Sequence, residues 1–155
     1  MSAPEKGTTP SSGDDGHSRA GFGPGHRPLV RVPAGDLVAD TAQSAGMQRL
    51  EAISGKRVGA EHIWMGRTVV PPGARSADHH HGRSETGIHV ISGHPVFVFL
   101  DGGKEVRLET EPGDFVWVPP FTPHREENPN PEQEAVVVIA RSTQEAIVVN
   151  LPGLG

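Results

Sequence analysis

The chain has 155 residues, 34% of them hydrophobic, and a formal charge of −5. That length suits one domain, and the acidic balance offers no basic field for nucleic acid or an anionic membrane. No apolar run approaches the ~18–20 residues of a membrane helix. Cysteine is absent, which excludes disulfides and thiolate metal ligands.

Residues 1–27 are rich in Gly, Ser, Pro, Asp and His, with Phe22 the only large apolar side chain beyond Met1. Such a segment buries too little surface to offset its ordering entropy and reads as a disordered tail. Its opening MSAPEKGTTP has no apolar stretch after the lysine, so no secretory signal is expected and a cytoplasmic location follows by default. Residues 28–155 form the expected folded domain. Twenty glycines and 15 prolines favour short strands broken by turns over long helices.

The first β-prone run is Leu29-Val-Arg-Val. A less regular stretch, TAQSAGMQRLEAI, reads as a helical turn weakened by Gly46. HIWMGRTVV, TGIHVIS and PVFVFL follow as strands. The last meets Asp101-Gly-Gly, a hairpin signal, and returns as KEVRLET. DFVWVP, AVVVIARS and EAIVVNL complete the chain. Many short strands with no long helix predict an antiparallel all-β barrel or sandwich. Trp64, Met65, Phe97, Phe99, Phe115 and Trp117 are expected mainly in the core.

The chemistry concentrates in histidine, of which there are nine. Alternate residues on an extended strand point the same way, so His79 and His81 in ADHHHGRSE aim two imidazoles at one point while His80 faces away. Glu85 lies beyond the turn at Gly82 and offers a carboxylate. His124, after a strand and a Pro-rich turn, offers a third imidazole. Nitrogen and oxygen donors favour Fe(II), Mn(II), Ni(II), Co(II) or Zn(II). Considered one at a time, three adjacent histidines also describe a solvated loop, and His89 in TGIHVIS also describes a packed strand residue. Arg49, Arg75, Arg83 and Arg125 are candidate anchors for a substrate carboxylate or phosphate. Asn128 reads as a turn stabiliser.

In combination these residues resemble the two motifs of the cupin superfamily. Gly73 is followed by five residues, His79-His80-His81, then Glu85 and later Gly93. Gly113 is followed by five residues, Pro119-Pro120-Phe121, then His124 and Asn128. The resemblance covers about Leu29 to Leu151 and implies a single jelly-roll-like β-barrel. It also implies a site of His79, His81, Glu85 and His124 holding one divalent transition metal per chain, Fe(II) favoured. The chain departs from the pattern twice. Phe121 stands where the family usually has Gly. Seven residues rather than six separate Glu85 from Gly93, so counting back from Gly93 places the carboxylate position on Thr86. Alternation then turns Thr86 inward and Glu85 outward, unless a bulge restores Glu85.

Such a site leaves an open coordination position and implies a small-molecule substrate. An Fe(II)-dependent oxygenase or dioxygenase is the first expectation. A non-redox isomerase, lyase or cyclase is the second, with an uncoordinated Glu85 or an inward His89 moving the proton. A binding or sensing barrel without turnover is the third. The apolar LVRV and EAIVVNL runs would leave exposed strand edges, which predicts a homodimer.

Overall fold

The computed structural model describes Gly25 and residues 27–155. Apart from Gly25 and Arg27, the expected tail lies outside the described residues. Ten strands follow in order: β1 (Gln48–Ile53), β2 (Trp64–Val70), β3 (His79–His80), β4 (Thr86–Ser92), β5 (Val96–Asp101), β6 (Lys104–Glu109), β7 (Phe115–Val118), β8 (His124–Glu127), β9 (Ala135–Arg141) and β10 (Val149–Asn150). A single helical turn, α1 (Gly55–Val58), follows β1; Ser54 caps it through a bond from the Arg57 amide. Among the described residues no helix is long and apolar enough to cross a membrane.

The strands form two five-stranded antiparallel sheets, ordered β1-β2-β9-β4-β7 and β10-β3-β8-β5-β6. The first sheet is held by strict alternation: β2 and β9 each bury every second residue. Their inward side chains Trp64, Val137 and Ile139 pack with Ile88 and Val90 of β4, Val118 of β7 and Phe97 of the second sheet. The fold is therefore an all-β two-sheet barrel. The expected hairpin at Asp101-Gly-Gly is present, with Asp101 paired to Lys104. Gly102 and Gly103 both have positive φ, 56° and 78°, the requirement of a type I′ turn.

Several local readings are corrected. Leu29, Val30 and Arg31 are exposed, Val32 is half-buried, and the run forms no strand because it pairs with none. Most of TAQSAGMQRLEAI is not helical: its second half is β1, paired along β2. Of EAIVVNL only Val149 and Asn150 are strand, at the edge beside β3. Two aromatic side chains expected in the core face solvent instead: Phe115 is 79% and Trp117 64% exposed. In FVWV both faces are apolar, so alternation alone does not choose the buried one. Pairing of Thr86 with Val118 and of Ile88 with Val116 turns the valines inward.

Candidate metal centre

Three buried histidines meet where β3 and β8 pair. β3 and β8 are hydrogen-bonded neighbours, and His79 pairs directly with His124 across them. Directly opposed residues share a face of the sheet. His81 lies just beyond β3, before Gly82 turns the chain at φ 55°. The loop carrying His81 is tied to the loop preceding His124 by a bond of 2.8 Å from the Phe121 amide to the Gly82 carbonyl.

All three rings are buried, with relative exposures of 0%, 2% and 3% for His79, His81 and His124. Their ring centroids are 4.5–5.0 Å apart. Each Nδ1 faces a backbone carbonyl: His79 that of Ala77 at 2.7 Å, His81 that of Ile147 at 2.9 Å, His124 that of Thr122 at 2.9 Å. A carbonyl only accepts, so each Nδ1 donates a proton and each Nε2 carries a lone pair. The Nε2 atoms of His79 and His124 are buried without a hydrogen-bond partner. The available ligand atoms of the three residues lie within 4.8 Å of one another.

This is the arrangement a divalent metal requires: neutral imidazoles, rings oriented by carbonyls, lone pairs gathered at one point. The electrostatics agree. Burial pulls the His79 imidazole down to about 3, with help from neighbouring His124. Burial likewise pulls His124 down to about 4, against the bond to Thr122. His81 is depressed further, by burial and then by the charge of Arg141. All three are neutral at neutral pH and need lose no proton to bind a metal.

Glu85 does not join them. From Thr86 to Val90 the alternation is unbroken, with Thr86, Ile88 and Val90 buried. The register shift in β4 falls between Val90 and Ser92, too late to turn Glu85 around. Glu85 is exposed, and its backbone pairs with Ser142. The same alternation places His89 on the outer face, where its ring stacks on exposed Phe115 at 4.3 Å. Neither Glu85 nor His89 is placed to act as a base inside the barrel. His80 faces away from the cluster as expected, against Phe121 and with its Nδ1 accepting from the Gly82 amide.

Of the four candidate arginines only Arg49 points inward, with 0% exposure. Arg83 pairs with Glu145 and Arg125 with Glu105, Glu127 and Asp78, while Arg75 is exposed. Asn128 is buried and its amide donates to the carbonyls of Val70, Pro71 and Gln133, which fixes the turn into β9.

Two interior residues were missed by the sequence reading, Glu126 and Arg141, whereas the inward turn of Thr86 that alternation offered is the one found. The signal was alternation. Glu126 follows His124 by two on β8, and Arg141 follows Val137 and Ile139 by even steps on β9, so each shares an inward face. Burial pushes the Glu126 carboxyl up, opposed by Arg49 and Arg141. Burial pulls Arg141 down to about 9, which leaves it a cation at neutral pH. Beside His124 a cavity of about 280 Å³ opens, lined also by Phe97, Phe99, Leu108, Val116, Val118 and Pro119 among others.

Residues 66–140 match the model of the cupin domain, and they span β2 to β9 of the two-sheet barrel just described. A cupin domain occupies these residues. Its fold is shared with the polyketide cyclase RemF from Streptomyces resistomycificus, at a TM-score of 0.64, 22% identity, and coverage of 80% of this chain and 86% of that one. It is also similar to oxalate decarboxylase of Bacillus subtilis (TM-score 0.62, 24% identity, 72% of this chain and 30% of that one). The oxalate decarboxylase of Lactobacillus farciminis is comparable (TM-score 0.63, 20% identity, 76% and 34%). The chain thus spans only about a third of the length of either decarboxylase. No curated protein sequence matches it.

Proposed function

We propose that this cupin is a metal-dependent enzyme acting on a small organic molecule, with the metal held by His79, His81 and His124 and used as a Lewis acid in isomerase, lyase or cyclase chemistry. The observation that carries this is the donor set: three neutral imidazoles, with Thr86 rather than a carboxylate on the inward face of β4. A divalent cation on such a set supplies a Lewis acid whose charge no ligand diminishes, or, as iron(II), oxygen-dependent redox chemistry.

The chain's own residues do the rest. Phe97, Phe99, Val116 and Val118 form a dry wall that receives the apolar part of the substrate beside His124 and excludes water. Glu126, rather than Glu85 or His89, is the interior carboxyl able to hold or take a proton: its Oε2 is buried without a partner and its affinity for a proton is raised. Glu51, the other interior carboxylate, accepts bonds from Ser54 and the Trp64 indole and is thereby committed. Among proteins of similar fold, RemF is a polyketide cyclase, which supports cyclase chemistry on this scaffold, and the oxalate decarboxylase of Bacillus subtilis contains Mn(II) centres, which supports a divalent metal.

An Fe(II)-dependent oxygenase is the second reading, favoured by the apolar wall that reaches the ligand His124. Elemental analysis of untagged protein from unsupplemented cells, beside His79→Ala, His124→Ala and Glu85→Gln, tests both. About one divalent metal per chain is expected, lost in both histidine variants and retained in Glu85→Gln. Zinc, nickel or manganese without oxygen uptake supports the Lewis-acid reading, and iron with oxygen uptake the second. No metal in the parent, even after reconstitution with each ion, would remove the basis for both.

A further inference from the structure

The barrel interior holds a guanidinium that no group of the protein bonds. β1 and β9 each turn an arginine inward: Arg49 at 0% and Arg141 at 2% exposure. Arg49 is bonded at both terminal nitrogens, and only its Nε lacks a partner. Its two terminal nitrogens donate to Ser44 Oγ at 3.1 Å, and one also reaches the Ala42 carbonyl at 3.3 Å. Arg141 is bonded at none. Its guanidinium carbon lies 5.0 Å from the centre of the Trp64 ring, and none of its three guanidinium nitrogens has a hydrogen-bond partner. A cation–π contact offsets only a small part of what it costs to strip water from a guanidinium with five N–H donors.

Thr86 sits directly opposite Arg141 in the pairing of β4 with β9. Directly opposed side chains lie about 5 Å apart at Cβ on one face. Thr86 is fully buried and its hydroxyl also lacks a partner. A cation and a hydroxyl, both unsatisfied, therefore stand side by side on the inner wall, five residues along the chain from His81. They belong to the histidine cluster electrostatically as well: after burial, the charge of Arg141 is the next largest influence on the His81 imidazole, and it acts on His79 and His124 too. The nearby carboxyl, Glu126, does not supply the missing partner, because its own Oε2 is unbonded and burial favours its protonated form. Three neutral imidazoles add no negative charge, and a divalent cation upon them would add positive charge.

We propose that Arg141 and Thr86 form an anion-binding subsite, and that the ligand of this barrel is an organic carboxylate with an apolar body. The carboxylate accepts from the Arg141 guanidinium and the Thr86 hydroxyl, and the apolar body extends past Val118, which pairs with Thr86 and lines the apolar cavity, toward Phe97 and Val116. The proposal names the substrate class for the enzyme reading above and rests on it for turnover, but anion binding itself requires no metal.

The probes are benzoate and benzamide, which share size and shape and differ in charge. Binding to the EDTA-treated full chain is followed by isothermal titration and thermal melting, with sodium chloride at equal ionic strength as baseline. Benzoate is expected to bind about tenfold more tightly than benzamide, the effect of one charge-assisted hydrogen bond. Arg141→Met, which keeps the bulk and removes the charge, should abolish that preference, and without ligand should melt at or above the parent temperature. Thr86→Val should weaken benzoate several-fold and leave benzamide unchanged.

Equal affinity for the two probes in the parent would overturn the proposal. So would retention of the benzoate preference in Arg141→Met, or a melting temperature for that variant far below the parent, which would make Arg141 a structural residue. Metal content, measured on the same preparations before EDTA treatment and again after reconstitution with each divalent ion, separates the two readings. Benzoate preference in a parent that binds no metal would sink the enzyme reading and leave the subsite standing, whereas one metal per chain without the preference would do the reverse.

Discussion

Acid should destabilise the metal-free barrel through its three buried imidazoles, and the size of the effect follows from their environment. In the unfolded chain a histidine takes up its proton near pH 6.5. In the fold His79 does so only at about 3 and His124 only at about 4, and His81 lower still. Between these limits the unfolded state binds more protons, so the contribution is complete above pH 6.5 and is lost as pH falls toward the folded value. From pH 6 to pH 5 the loss is about 1.2 kcal/mol for each histidine. Three give roughly 3.5 kcal/mol, set against a total stability of about 5–15 kcal/mol. Glu126 works the other way, because burial raises its affinity for a proton, and it offsets at most about 1.4 kcal/mol of that loss over the same interval. The assay is urea unfolding at pH 6 and pH 5 with EDTA throughout. His124→Gln isolates one imidazole, since the packing cost of the substitution is the same at both pH values and cancels. The difference in stability between the two pH values should shrink by about 1.2 kcal/mol in the variant. An unchanged difference would show that His124 is not buried in its neutral form, and the account of the site would fail with it.

Phe121 stands at φ 58°, the only described non-glycine residue with positive φ, and its side chain is 63% exposed. An L residue there costs about 1–2 kcal/mol, while glycine in its place loses about 0.5–1 kcal/mol of backbone entropy on folding. Phe121→Gly should therefore raise stability by about 0.5–1 kcal/mol in thermal or urea melts; a loss of that size would refute the strain. The assembly proposed is a homodimer, now resting on edge strand β7, whose Phe115 and Trp117 are exposed. Light scattering should give twice the 16.4 kDa of one chain, and Trp117→Arg should reduce it to the monomer mass. A monomer mass for the parent across the micromolar range would remove the proposal.

Much of this protein is written locally. The strand periods of HIWMGRTVV and AVVVIARS reappear as β2 and β9, because a half-buried strand must alternate with period two. The turn at Asp101-Gly-Gly is equally local, since glycine alone adopts two successive positive φ angles at little cost. The convergence of His79 and His81 followed from the same alternation, and the placing of His124 beside them followed from the resemblance of two spaced motifs. What sequence left undecided is which way a face points when both are plausible. Glu85 and Thr86 are neighbours, and a shift of one residue exchanges wall for solvent; only the pairing of Thr86 with Arg141 and Val118 decides it. Likewise FVWV is apolar on both sides, and the partner strand chooses the valines. Arg141 and Glu126 escaped notice because charged side chains are presumed solvated. Their burial is a property of the closed barrel, in which four strands bring Arg49, Thr86, Glu126 and Arg141 inward around the histidines, and no segment of the chain carries that information alone.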